Sequence, residues 1–116
     1  MTRKQVAISK RKLLSQLPPL EDLLRGSLLE RHTFHPSSIS CATCASGEGH
    51  LQFVLNVNYP GAKTRQLTVH PDHVPHVRRQ LANLQRVREI LESVCELNQQ
   101  LLLLDRAEAR QKERES

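Results

Sequence analysis

A chain of 116 residues has the length of one domain, and its 38% apolar and 25% charged content excludes a disordered polyelectrolyte and a membrane protein. The longest strongly apolar run, residues 101–104, falls far short of the ~20 residues that cross a bilayer, and no apolar stretch follows the basic start as a signal peptide requires; the expected location is cytoplasmic. A net charge of +5 leaves phosphate contact open, while the absence of Trp and the presence of only one Tyr and two Phe argue against an aromatic stacking platform for single strands.

Arg3, Lys4, Lys10, Arg11 and Lys12 carry the whole excess charge, because no acid precedes Glu21 and residues 13–116 balance twelve bases against twelve acids. Residues 1–12 are therefore expected to form a basic flexible arm, either a source of salt-dependent phosphate affinity or an ordinary solvated terminus. A single α+β domain is expected over residues 13–106, followed by a charged tail over residues 107–116. Pro18-Pro19 suits the start of a short helix over residues 19–25, with Gly26 as its stop. Leu13, Leu14, Leu17, Leu20, Leu23 and Leu24 would give this region one apolar side. Residues 27–34 fit a strand or a further helical turn, and the bracket of Gly26 and Thr33-Phe34 favours the strand.

Residues 35–49 are small, polar and glycine-containing, which predicts a loop. The next segment, residues 50–58, alternates, with Leu51, Phe53, Leu55 and Val57 on one face, and residues 64–70 are short and β-branched. Pro60 and Gly61 between them reverse the chain, so the pair predicts a β-hairpin. Adding residues 27–34 gives a small antiparallel sheet of two to three strands, about the minimum for independent stability.

His70-Pro71-Asp72 signals a helix start, and Pro75 fits only the first turn of that helix. No breaker interrupts the pattern to about Lys112, which predicts a long C-terminal helix of ~60 Å. Val87, Ile90, Val94, Leu97, Leu101 and Leu104 recur at alternating spacings of three and four, a heptad seam, while Val77, Leu81, Leu84 and Leu91 widen the stripe. The seam is the candidate partner interface of a homodimer; the alternative is a monomer in which residues 13–29 fold back over it. Heptad spacing does not distinguish the two. A second basic cluster, Lys63, Arg65, Arg78, Arg79, Arg86 and Arg88, is interrupted only by Asp72.

Three cysteines are an odd number, which fits reduced thiols better than a disulfide framework. Cys95 lies in the apolar periodic run and is expected to behave as a small buried hydrophobe. His35-x5-Cys41-x2-Cys44-x5-His50 places two thiolates and two imidazoles within sixteen residues, a set that suits tetrahedral zinc. Four protein ligands would leave no open position, so such a zinc would be structural; the other reading is a polar loop with two reduced cysteines. Of the other histidines, His32, His70, His73 and His76, the pair His73 and His76 is spaced i,i+3 near a helix start and could bind metal, but the flanking prolines favour surface histidines. No phosphate loop, serine elbow or carboxylate pair is present, and a thioredoxin-like context for Cys41 and Cys44 is lacking, so the chain is expected not to be an enzyme.

Leu24-Arg25-Gly26-Ser27-Leu28-Leu29-Glu30-Arg31, Cys44-Ala45-Ser46-Gly47-Glu48-Gly49-His50, and Tyr59-Pro60-Gly61 with Thr64-Arg65 occur in that order. Together they resemble a family of small bacterial domains of unknown function, often encoded beside transposases, over residues 24–104. The resemblance implies a mobile-element association and an accessory role on DNA. His35-Pro36-Ser37-Ser38 stands where the family pattern has an early cysteine, and C-x-x-C replaces C-x-C. A family loop holding zinc through three cysteines and a histidine would use His35 here as the replacement ligand; loss of the metal is the other reading.

The function expected from these features is that of a small accessory protein contacting DNA or a mobile-element protein. Arg3, Lys4, Lys10, Arg11 and Lys12 would supply phosphate contacts, and Lys63, Arg65, Arg78 and Arg79 would position the domain. The alternative is an interaction or structural module that dimerises or recruits a partner through its long helix, without nucleic acid. No small-molecule substrate is indicated.

Overall fold

Strand-forming residues and long-helix residues are segregated along the chain, and a computed structural model shows the α+β fold that this segregation implies. It describes residues 1–33, 49–61 and 63–115. In chain order these form α1 (Arg3–Ser15), β1 (Ser27–Thr33), β2 (His50–Val57), β3 (Arg65–Val69), a 3-10 turn (Pro71–His73) and α2 (Val74–Glu115). The chain divides into two compact units, a sheet unit (Leu23–Ala82) and a helical unit (Met1–Asp22 with Asn83–Ser116), and α2 contributes to both. None of the described helices is long and apolar enough to cross a membrane.

The sheet unit is an antiparallel meander in the order β1-β2-β3. Leu28, Leu55 and Leu67 lie across from one another in register, as do Glu30, Phe53 and Val69. Side chains alternate across a strand, so Leu28, Leu55, Val57 and Val69 share a face. Against it packs the start of α2: Leu55, Val57 and Val77 form the buried cluster, bordered by Leu24, Leu28, Val69 and Leu81. Two of the four residues assigned to this face of β2, Leu55 and Val57, are buried, Phe53 is half-buried, and Leu51 at the strand's start remains exposed. Val54, on the opposite face between Leu29 and Thr68, is also buried, which simple alternation does not anticipate.

Local chemistry closes the ends of these elements. Gly61 takes φ +69° in the hairpin turn, and Thr64 Oγ1 donates to Asn58 Oδ1 at 2.6 Å across its neck. The backbone N–H of Asp72 donates to His70 Nδ1 at 3.1 Å, capping the 3-10 turn, and Pro75 occupies the first turn of α2 as expected. From there α2 runs for 42 residues, so the segment expected as a charged tail is helical through Glu115.

Two N-terminal expectations differ from the structure. The segment expected as a flexible arm is α1, opened by a capping box: Gln5 N–H donates to Thr2 Oγ1, and Thr2 N–H donates to Gln5 Oε1. The short helix expected over residues 19–25 is absent. A single turn bond, Asp22 N–H to Pro19 O, forms there, and the segment instead bonds to α2: Asn83 Nδ2 donates to Asp22 O, and Leu24 N–H donates to Gln80 O. Seven residues beginning with a proline gain little from helical bonds of their own. Gly26 is accordingly a strand-entry glycine rather than a helix stop, with φ +132° and a position where a Cβ would stand 2.8 Å from Asn56 O.

Gly26→Ala is expected to lower stability by about 2 kcal/mol or more, from positive φ and the backbone clash together, against about 1 kcal/mol for Gly61→Ala, where only the φ opposes the new side chain. Urea unfolding followed by circular dichroism measures both, and equal losses would show that β2 yields at Asn56 without cost. Ile90, 1% exposed, sets a second contrast with Leu102, 60% exposed. Ile90→Ala should cost about 3 kcal/mol and Leu102→Ala under about 0.5 kcal/mol.

Candidate functional site

The helical unit is built by return of the chain along α2. Arg3 reaches Asp105 at 2.6 Å and Glu108 at 3.0 Å, Lys10 Nζ donates to Asn98 Oδ1 at 3.0 Å, and Arg86 Nη2 donates to Gln16 Oε1 at 2.8 Å. Rising numbers on one segment meet falling numbers on the other, so α1 lies antiparallel to α2. Val6 faces inward and is fully buried. Its enclosure contributes about 2 kcal/mol, whereas ion pairs as exposed as those of Arg3 contribute less than about 1 kcal/mol each. Apolar contact therefore holds α1, and the polar pairs choose its register.

This arrangement sorts the five N-terminal cations. Arg3 and Lys10 are turned toward α2 and engaged there. Lys4 and Arg11, seven residues apart and so nearly in line, stand about 160° and about 140° around the helix from Val6 and are exposed. Lys12 is exposed on one flank. α1 contains no acidic residue to offset them.

The four other nominated cations belong to the sheet unit. Lys63 and Arg65 are exposed at and just after the hairpin turn. Arg78 Nη2 lies 3.5 Å from Glu30 Oε1, and Arg79 contacts His76 Nδ1. Arg25, which the sequence pattern does not single out, stacks over the Tyr59 ring at 5.3 Å. An Arg beside a hairpin aromatic is a weak signal in sequence, because the two are 34 positions apart and meet only through strand pairing.

The heptad row meets α1 and the segment after it in the same chain. Val87 and Ile90 are buried, and Val94, Leu97, Leu101 and Leu104 are half-buried. α1 runs alongside this part of α2, tied to it at Asp105 through Arg3 and at Asn98 through Lys10. Cys95, expected inside, is exposed; it lies about 140° around α2 from Ile90, well off the row.

Of the nominated zinc ligands, His50 opens β2 and is half-buried, while His35, Cys41 and Cys44 lie outside the described residues. Among the described residues no group of three or more His, Cys, Asp or Glu could hold a metal ion. His32, His70, His73 and His76 are exposed, as expected. No protein-family model, curated protein or solved structure matches this chain.

Proposed function

We propose that the protein is a non-enzymatic binding module that engages the phosphate backbone of a nucleic acid, with Lys4 and Arg11 as its leading contacts. The observation that carries this reading is the folding of α1 against α2: it presents the two cations outward on a helix that carries no acid. Seven residues of helix separate them by ~10 Å, so the two cations meet different phosphates rather than one. Ordering them in advance removes part of the entropy that a flexible arm loses on binding.

Lys63, Arg65, Arg78 and Arg79 supply a second set of phosphate contacts from the sheet unit, and both units carry a net positive charge. Scarce aromatics favour duplex over single strands. The resemblance to domains encoded beside transposases points to DNA, in an accessory role to a mobile element. Specificity is not part of the reading, because phosphate contacts position without reading bases.

Deleting residues 1–12 would remove Val6 from the helical core, so point variants are the cleaner test. Binding of a short DNA duplex is expected to fall steeply with salt. Lys4→Gln with Arg11→Gln should reduce the slope of log affinity against log salt by about 1.8, at ~0.9 per phosphate contact. Absence of binding at low salt would overturn the reading, and an unchanged slope in the double variant would remove α1 from the interface.

A further inference from the structure

We infer that the helical unit pairs with a second copy of itself across an open groove on one flank of α1 and α2, giving a four-helix bundle. The groove encloses about 540 Å³, with half-buried Leu13 and Leu97 at its floor and exposed Lys12 and Glu96 on its opposite lips. Met1, which also lines it, is 64% exposed, and Leu103, one heptad beyond Glu96 on the same line of α2, is 55% exposed. Two antiparallel helices enclose only one side of their shared apolar surface, and a bundle covers the other.

Charge selects the second copy and its orientation. Lys12 is the charged side chain of the α1 lip and Glu96 that of the α2 lip, so the surface is complementary to itself when α1 of one copy lies on α2 of the other. A two-fold axis parallel to the helices produces that arrangement. An axis across them would set α1 on α1 and α2 on α2, opposing lips of like charge.

The register within one copy makes the pairing specific. Arg3 meets Asp105 and Lys10 meets Asn98, so each residue of α1 is level with the α2 residue whose number brings the pair to the same total. Lys12 is thereby level with Glu96. A two-fold axis parallel to the helices leaves heights unchanged, so Lys12 of each copy comes level with Glu96 of the other. Of the heptad row Leu97 alone lines the groove, the rest of the row takes no part, and Lys4 and Arg11 stay on the outward face.

Sedimentation velocity of the full chain over a concentration series, after nuclease treatment, tests the pairing independently of nucleic-acid binding. The wild-type chain is expected to dimerise. Lys12→Glu and Glu96→Lys should each weaken the dimer at least about tenfold, and the double swap should recover it. Both positions are exposed, so far-UV circular-dichroism spectra of the single variants should match wild type. A monomer at every concentration, a dimer lost with nuclease, a dimer indifferent to both reversals, or a double swap without recovery would each overturn the inference.

Discussion

The apolar row of α2 has to be covered, and most of this structure depends on how that is done. A helix of 42 residues gains little from its own hydrogen bonds once it leaves the sheet unless its apolar side is removed from water. The cover comes from the chain's other end. Residues 3–22 run back along α2, first as α1 and then as a non-helical segment whose carbonyl at Asp22 accepts from Asn83. Burial of Val6 and Ile90 supplies the larger energy, and the exposed pairs at Arg3 and Lys10 set the alignment.

That same requirement decides what the basic N-terminus can do. A helix with one apolar side chain turned inward fixes where all the others point. Arg3 and Lys10 flank Val6 and serve the fold, while Lys4 and Arg11 stand opposite and serve the surface. Lys12, between the two directions, reaches the groove lip opposite that of Glu96. Five cations that look equivalent as a charge run therefore have three separate roles, and only two of them lead the proposed phosphate contact.

The sheet unit solves a smaller version of the same problem. Three short strands have too little apolar surface to stand alone, and the first turns of α2 complete their core through Val77 and Leu81. Gly26 permits β1 to enter beside β2 at a separation no side chain could tolerate. One helix thus completes two cores, with its first turns serving the sheet and the remainder serving α1.

The sequence by itself determined the α+β class, the hairpin with its turn, the helix start around His70 and Pro75, and the unbroken helix beyond it. Each rests on local physics: side-chain alternation, glycine and proline backbone limits, and a cap within two residues. The capping box of Thr2 and Gln5 is masked in the sequence by the surrounding charge, which suggests an arm. The seven-residue helix after Pro18 was expected because local signals do not report that Asp22 and Leu24 would find partners on α2. Cys95 was misplaced because membership of an apolar run does not fix the angle around a helix. For the candidate site, residue types were legible and their division was not. Only the tertiary structure decided which cations turn inward and that the heptad row meets α1, because a heptad has the same spacing whether its cover comes from its own chain or another.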